Sequence, residues 1–473
     1  MIAAFTMVAL LGFAAFAVDL GYVYVVRNRL QSATDSSALA AATDMRPGNL
    51  AARTRAALTA AAYGAAQGNK NAIPAMQSVN MDVAFDCRPN SVPLPCNNDS
   101  DESKRLANAV VVTQTARVPL FFGHLLGTPA VTVSAVAVAG AAGGDSKAMD
   151  VIIVMDATAS MATSITGCGQ DSLGRTISTK LHCAVAGVQS LLLNFRPSVD
   201  RVALMAYPPI KKTSATKASN CSTDMSSADY SAYRSSGVLP STATYQIAAL
   251  TSAYRTSDAS SVLDGSQTLV TAVRGKSGSC TGLESPYFSG YPMTFYADAI
   301  TAAKNALIAG AKPESEKVII LLSDGDATAS TSVVGSNQCT QAVNAAKAAT
   351  TAGVSVYSIA YEASTNSPAC TTTQQCTQVK VDPTCTKKCT YTTVCQNVTQ
   401  CSPNQESCQS ESDSSKSACW AMQNIASKPE YFYSTGSTGC TSSAGNDYDN
   451  IKDVFDGVGV SLTKPRLLPS SAN

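Results

Sequence analysis

The sequence predicts a mixed α/β protein with a doubly wound parallel sheet, preceded by an N-terminal transmembrane helix and a small α+β module. Two short runs, residues 151–155 and 317–323, are apolar and rich in β-branched side chains, which is typical of strands buried on both faces. A helical pattern over 173–195 lies between them, as expected where parallel strands are joined by helical crossovers. Residues 1–26 are almost wholly apolar, with one acid at Asp19.

Polar side chains follow both predicted strands. Asp156 comes directly after the first strand, with hydroxyls at Thr158 and Ser160, and Asp324 follows the second strand. The carboxyl ends of parallel strands meet at one edge of a sheet, where open α/β folds bind their ligands, so we expect these side chains to lie together. Thr294, which precedes a helical pattern, adds a hydroxyl from a loop. Clustered hard oxygens favour Mg²⁺, with Mn²⁺ or Ca²⁺ as alternatives, over zinc or copper.

This constellation resembles the metal-ion-dependent adhesion site (MIDAS) of von Willebrand factor A domains. That family carries Asp-x-Ser-x-Ser after its first strand, a Thr from a later loop and an Asp that ends its fourth strand. The resemblance implies a metal site made of Asp156, Thr158, Ser160, Thr294 and Asp324. Two departures are Thr158 in place of the first Ser and Ala159 in place of a common Gly. The alternative interpretation is a pair of strand-end aspartates that cap neighbouring helices.

The apolar N-terminus predicts a membrane anchor that continues into an Ala-rich helix, over residues 1–45. The apolar stretch is long enough to cross about 30 Å of hydrocarbon. A cleaved signal peptide is the alternative, with Ala15-Phe16-Ala17 as its cleavage site, although the long apolar run and the lack of a basic n-region argue against it. Arg27 and Arg29 favour a cytoplasmic C-terminal bulk, but long translocated domains override a few flanking charges.

Cysteine content favours a compartment outside the cytoplasm. The chain has 16 cysteines, of which eight fall between Cys370 and Cys419, and the even number indicates disulfides in an oxidising compartment. Zinc is the weaker alternative, because no Cys-x-x-Cys pair occurs and His124 and His182 lie outside the cluster. Eight cysteines permit 105 pairings, so the sequence does not assign the connectivity of this cluster.

A second resemblance covers the N-terminus. Residues 18–21 read Val-Asp-Leu-Gly, and Leu30-Gln31, Asp35 and the run 38–42 follow in order. This pattern resembles the N-terminal module of Tad pilus-assembly proteins of the TadE/TadG type, tightly over residues 1–45 and loosely to about residue 145. The resemblance implies a bacterial cell envelope, with the bulk of the chain periplasmic or extracellular. An anchor, a small module and an A-type domain, in that order, resemble TadG.

The predicted domains follow from these patterns. Residues 46–145 read as a small α+β module, in which Cys87 and Cys96 are close enough to bridge. Its elements are a helix at 49–67, strands at 79–85, 108–113 and 131–139, and a helical turn at 121–126. Residues 146–465 form the predicted von Willebrand factor A domain. A long polar insertion at 208–292 and a disulfide-rich insertion at 363–415 interrupt it.

These features predict a membrane-anchored binding protein in Tad/Flp pilus biogenesis, with an adhesion-type metal site for protein partners such as pilus components or a surface ligand. A stand-alone adhesin for host or matrix ligands is the alternative. Lys plus Arg number 34 and Asp plus Glu 33, a balance that argues against nucleic acid as the partner. The sequence carries no Gly-x-Ser-x-Gly, His-Glu-x-x-His or P-loop motif, and we expect no enzyme activity.

Overall fold

The computed structural model describes most of the chain, from the N-terminal helix to the last strand. The described residues are 2–45, 50–88, 91–92, 94, 96–97, 107–142, 147–211, 243–278, 282–284, 294–325, 327–329, 334–363, 370–380, 391–401, 408, 416–436, 439–463 and 465–469. Much of the two predicted insertions, 208–292 and 363–415, therefore lies outside the described residues.

The N-terminal module packs two helices on an antiparallel sheet. Its first five elements are α1 (Ile2–Asp44), α2 (Leu50–Ala62), β1 (Gln77–Asp86), β2 (Ala109–Pro119) and β3 (Ala130–Gly140). All three predicted strands are present, and β2 extends beyond its predicted end. The predicted helical turn is a 3₁₀ turn at Gly123–Leu126, at the tip of the β2–β3 hairpin. A disulfide joins Cys87 to Cys96, as predicted.

The two halves of α1 have different surroundings. In the C-terminal half, Val26, Leu30 and Ala42 are buried, and this half packs on β2, β3 and α2. Small Ala side chains on this face let the helix backbone approach the sheet closely. In the N-terminal half, Leu10 and Phe13 are largely exposed. By length and composition α1 is able to cross a membrane, in agreement with the predicted anchor.

The larger sheet confirms the predicted mixed α/β fold. Its strands are β4 (Met149–Asp156), β5 (Arg201–Lys211), β6 (Ala243–Thr251), β7 (Glu316–Ser323), β8 (Val354–Ala360) and β11 (Phe432–Ser434). They are ordered β11-β8-β7-β4-β5-β6. Every neighbouring pair is parallel except β5 and β6, which are antiparallel. Both predicted apolar runs lie at the centre, as β4 and β7.

Helices cover both faces of this sheet. They are α3 (Lys180–Asn194), α4 (Thr268–Ala272), α5 (Ala297–Gly310), α6 (Gln338–Thr351), α7 (Ala418–Ile425) and α8 (Ile451–Leu462). Alternation along β4 sends Val151 and Ile153 into a core with α3, α4 and α8. Ile152 and Val154 point into the opposite core with α5, α6 and α7. A continuous apolar run is therefore required, because neither face of β4 meets water.

Helix α3 is shorter than the predicted 173–195. It begins after Thr179, whose side chain accepts a hydrogen bond from the backbone N–H of His182 and so caps the first turn. Before it, the Asp171 carboxylate accepts hydrogen bonds from the backbone N–H groups of Leu173 and Arg175, which holds a turn instead of a helix. The apolar pattern did not reveal this competition between turn and helix.

Disulfides tie the cysteine-rich region to the sheet domain. Strands β9 (Cys370–Lys380) and β10 (Tyr391–Cys401) form an antiparallel hairpin inside the predicted disulfide-rich insertion. Cys339 on α6 pairs with Cys408, and Cys419 on α7 pairs with Cys440. A further pair, Cys168–Cys183, joins the loop before α3 to that helix. These pairs confirm the prediction that cysteines of this chain form disulfides.

The chain returns to its first sheet after α8. Strand β12 (Arg466–Leu468) pairs antiparallel with β3 and gives the small sheet the order β1-β2-β3-β12. The sequence did not predict this strand, because a three-residue run carries too little pattern to be recognised.

Candidate functional site

The predicted site residues lie mainly at the carboxyl edge between β4 and β7. Asp156 is the last residue of β4 and is fully buried. The two strands are parallel neighbours, so the end of β7 and the following Asp324 lie beside Asp156. Asp324 is also buried, whereas Ser160 is exposed. The strand-end pattern in the sequence therefore located this edge correctly.

A chain of hydrogen bonds links the two carboxylates. The Asp156 Oδ1 atom accepts from the Thr158 backbone N–H at 2.9 Å and from its hydroxyl at 2.6 Å. The hydroxyl oxygens of Thr158 and Ser160 are 2.9 Å apart. The Ser160 hydroxyl donates to Asp324 Oδ1 at 2.7 Å. Four side chains therefore form one continuous polar path across the edge.

The geometry of this path suits two hydrogen-bond arrangements. When both carboxyls are ionised, the Thr158 hydroxyl donates to Asp156 and the Ser160 hydroxyl donates to Asp324. When Asp156 is protonated, its O–H donates to the Thr158 hydroxyl, which then donates to Ser160, and Ser160 donates to Asp324. In both arrangements Asp324 carries a negative charge.

Two residues that the sequence analysis missed hold the other oxygen of Asp156. The Tyr207 hydroxyl is 3.1 Å from Asp156 Oδ2 and also donates to the Leu322 carbonyl at 2.8 Å. The Ser323 hydroxyl is 3.0 Å from the same Oδ2 atom. Tyr207 lies opposite Asp156 in the β4–β5 register, four residues before β5 ends at Lys211. The local sequence does not mark this tyrosine, because its contact with Asp156 depends on the pairing of the two strands.

A lysine supplies positive charge on the far side of Asp324. The Lys180 Nζ atom is 3.5 Å from Asp324 Oδ2 and 2.8 Å from Glu362 Oε2. Lys180 is the first residue of α3, and Glu362 follows the end of β8. Three elements thus meet here, and the sequence analysis identified neither residue because their proximity depends on the packing of α3 across the sheet.

Burial sets the protonation of the two aspartates. Removal from water, and then the nearby charge of Asp324, raises the pKa of Asp156 from 3.8 to about 7. Burial also raises the pKa of Asp324, although Ser160 and Lys180 oppose that shift. Burial lowers the pKa of Lys180, but contacts with Glu362 and Asp324 outweigh it and raise that pKa overall. Asp156 therefore holds its proton to a much higher pH than an ordinary carboxyl, beside an ion-paired Asp324.

Thr294 is near this edge but is not part of the polar path. It is buried, and its backbone carbonyl accepts a hydrogen bond from the Thr328 N–H at 2.9 Å, in the segment that follows β7. In the part of the chain that the structure describes, no hydrogen bond joins the Thr294 hydroxyl to Asp156 or Asp324. The structure therefore brings together Asp156, Thr158, Ser160 and Asp324 of the five predicted ligands.

The predicted magnesium site is wrong. Within the described residues, no group of three or more His, Cys, Asp or Glu side chains is placed to hold a metal ion. The edge presents two aspartates that are already tied to hydroxyls, and the ammonium of Lys180 supplies the cation that Asp324 needs. The raised pKa of Asp156 and the Lys180 ammonium reduce the negative charge that Mg²⁺, Mn²⁺ or Ca²⁺ would otherwise balance.

The histidine in α3 has a structural partner. The Nε2 atom of His182 is 3.0 Å from Glu284 Oε1, and this contact ties α3 to the segment after α4. His182 therefore joins two elements of the sheet domain.

Comparisons with solved structures give only slight likenesses. The pilus adhesin SpaC from Lactobacillus rhamnosus GG is 9% identical with a TM-score of 0.34, over 83% of this chain and 34% of that one. Proximal thread matrix protein 1 from the mussel byssus is 12% identical with a TM-score of 0.30, over 68% and 48%. The pilus adhesin RrgA from Streptococcus pneumoniae is 16% identical with a TM-score of 0.21, over 54% and 25%. The chain thus spans half or less of each of these proteins, and likenesses at this level carry no argument about it.

Family models identify the N-terminal region. Among curated proteins, none matches the chain. Residues 1–44 match the family described as Flp pilus-assembly TadE/G-like. Residues 37–139 match the family described as Tad-like Flp pilus-assembly. These two ranges cover α1, α2 and the β1–β3 sheet, so this region carries the pilus-assembly domains of Tad systems.

Proposed function

We propose that this chain is a membrane-anchored, extracytoplasmic protein of Tad/Flp pilus biogenesis that binds other pilus components. The observation that carries the proposal is the match of residues 1–44 and 37–139 to Tad pilus-assembly families. The anchor is α1, which has the length and composition of a membrane span. The disulfides support an oxidising compartment, outside the cytoplasm, for the remainder.

The proposal extends to the TadG type and to a von Willebrand factor A domain over residues 146–465. A parallel sheet with helices on both faces, and a polar edge at the ends of its two central strands, supports that assignment. In this proposal residues 1–45 are the anchor and continuing helix, and 46–145 are the small module. Segment 363–415 is its insertion, whereas β6 and α4 of the predicted insertion 208–292 belong to the sheet domain itself, and β12 returns to the small sheet.

The carboxyl edge is the proposed surface for a protein partner, acting without a metal ion. Asp156 and Thr158 are buried and cannot touch a partner directly, so their role is to hold the edge in shape. Ser160 is exposed and Glu362 is partly exposed, and these two present a hydroxyl and a carboxylate to the outside. The role is structural and non-enzymatic, as in pilus assembly.

A deletion strain tests the proposal. Surface filaments would be imaged by electron microscopy after complementation with the wild type, Ser160→Arg or Glu314→Arg. Ser160→Arg places a large cation on the carboxyl edge, whereas Glu314 is exposed just before β7 begins, at the opposite edge, and provides the matched control. We expect deletion to abolish filaments, Glu314→Arg to restore them and Ser160→Arg to fail.

Each outcome has a distinct meaning. Filaments that persist in the deletion strain would refute a role in assembly and favour the adhesin alternative. Filaments restored by Ser160→Arg as well as by the wild type would retain the assembly role but remove the carboxyl edge as the binding surface. Immunoblots of membrane fractions would show that all variants accumulate equally.

A further inference from the structure

The tip of the β2–β3 hairpin lies against α1 at its one buried acid. Asp19 is buried, and its carboxylate accepts hydrogen bonds from the backbone N–H groups of Phe121 (2.8 Å), Phe122 (3.0 Å) and Gly123 (2.8 Å). The Tyr22 and Phe121 rings pack with their centroids 4.7 Å apart. An acid in an apolar helix is costly in hydrocarbon unless it is paired, and three backbone donors pair this one.

The same tip exposes large apolar side chains. Phe121 is 56% exposed, Leu125 is 74% exposed and Phe122 is also exposed. These side chains are exposed, so they add little to the core of the small module. Three of them within five positions form a concentrated apolar patch. The patch continues onto α1, where Phe13 is 72% exposed and Phe16 is likewise exposed.

Beside these contacts, a cleft of about 890 Å³ lies between the hairpin and the N-terminal half of α1. Its apolar lining includes Leu11, Ala15 and Phe16 from the helix, and Phe122, Leu125 and Val131 from the hairpin. The cleft therefore has an apolar lining suited to hydrocarbon chains, and Phe16, which is exposed on the anchor, forms part of that lining.

Position along α1 identifies what covers this patch. About 20 residues of helix cross the hydrocarbon, at roughly 1.5 Å per residue. Exposed large apolar side chains are frequent up to Leu20, with Val25 also exposed, and Tyr22, Tyr24, Arg27 and Arg29 lie over the same turns of the helix. Tyr at an interface and Arg just beyond it are typical of the point where a helix leaves a bilayer. The hairpin tip is therefore level with the membrane surface.

We propose that the β2–β3 hairpin tip is a second membrane-contact element, which inserts Phe121, Phe122 and Leu125 among lipid acyl chains beside the anchor. The inference rests on the membrane anchoring stated under the proposed function. Because α1 also packs on the small sheet, the tip gives that sheet a second point of contact with the bilayer beside the helix.

Tryptophan quenching by brominated lipids tests this placement. The full chain carries one Trp, Trp420, so Trp420→Phe gives a silent background. Reporters in that background are Leu125→Trp at the tip, Phe13→Trp in the anchor and Leu58→Trp on α2. Leu58 is an exposed leucine of the same module, next to Thr59, which hydrogen-bonds to Asp44 at the far end of α1. Each protein is reconstituted into phosphatidylcholine/phosphatidylglycerol vesicles with bromines on the acyl chains.

We expect Leu125→Trp and Phe13→Trp to lose most of their fluorescence and to emit at shorter wavelength, whereas Leu58→Trp is unchanged by bromine. Quenching of Phe13→Trp alone would overturn the hairpin inference and leave the anchor intact. Absence of quenching at Phe13→Trp would overturn the anchor, and the hairpin inference with it. Phe122→Trp provides a second tip reporter, and it must give the same result as Leu125→Trp.

Discussion

Two buried aspartates at opposite ends of β4 have opposite protonation behaviour. Burial by itself would raise the pKa of both side chains. At Asp150, hydrogen bonds from Arg201 (2.6 Å and 3.0 Å), from Ser315 and from the Lys312 backbone N–H (2.7 Å) outweigh burial and lower the pKa. Among the described residues no cation contacts Asp156, and burial with the charge of Asp324 raises its pKa to about 7. Position in the sheet, not residue type, decides the charge.

Asp156→Asn is expected to stabilise the protein above neutral pH. The native state holds the Asp156 proton more tightly than the unfolded state, so this group's contribution to stability is greatest below about pH 4 and falls as pH rises to about 7. Asn carries no charge, and we expect a gain of up to about 4 kcal/mol at about pH 8, with a flatter pH profile. Denaturant unfolding across this pH range measures both.

Asp150→Asn is the matched control for that experiment. The lowered pKa of Asp150 contributes stability above its unfolded value of about 3.8, and that stability is lost as pH falls through the folded pKa. The Asn variant leaves Arg201 without its carboxylate and is expected to destabilise the protein at neutral pH. A parallel loss in both variants would contradict a neutral Asp156.

At the scale of elements, helices α3 and α8 pack closely at positions where one of them carries a glycine. A Cβ atom at Gly187 would overlap the ring of Phe455 on α8. Gly459 of α8 similarly faces Asn194 of α3. Close approach of the two helices therefore depends on missing side chains on both, and the interface closes one face of the parallel sheet.

Gly187→Ala should destabilise the parallel-sheet domain by about 1–3 kcal/mol, because the buried ring of Phe455 has little room to move. Gly310→Ala is the control. A Cβ atom at Gly310 would meet only Leu250, at 3.9 Å, and Ala is the better helix former. We expect that variant to be neutral or slightly more stable. Thermal unfolding of both proteins decides the matter, and equal effects would contradict the packing argument.

At the scale of the whole molecule, β12 connects the end of the parallel-sheet domain to the small sheet. Leu468 is 8% exposed and packs in the core of the small module, whereas the adjacent Leu467 is 44% exposed. The Arg466 guanidinium also donates to the Ser91 carbonyl at 2.9 Å. The strand covers the edge of β3, which would otherwise present unpaired backbone groups.

Leu468→Asp is expected to release β12 and to cost roughly 2 kcal/mol, because it places a charge in an apolar core. Amide hydrogen exchange at β3, from Ala137 to Gly140, should accelerate in that variant. Leu467→Asp alters the other face of the same strand and should leave exchange unchanged. Equal protection of β3 in both variants would show that β12 does not stabilise the sheet.

Local pattern was sufficient for much of this architecture. The β-branched runs that became β4 and β7 predicted two central strands, and Asp156 and Asp324 at their ends predicted a shared edge. The same reasoning failed at Thr294, which lies near the edge without joining the polar path. The predicted metal site was wrong because Lys180 approaches Asp324 only after α3 packs across the sheet. Patterns report on sequence neighbours, whereas charge balance depends on residues more than a hundred positions apart.

The sequence by itself determined the membrane-spanning composition of α1, the parallel central strands and the Tad-type signature of the N-terminus. Each of these follows from hydrophobic periodicity or from a short contiguous motif. Only the tertiary structure decided the raised pKa of Asp156, the Lys180 ion pair, the docking of the hairpin tip on Asp19 and the return of β12. Burial and long-range contact set these features, because desolvation and proximity exist only once the chain has packed.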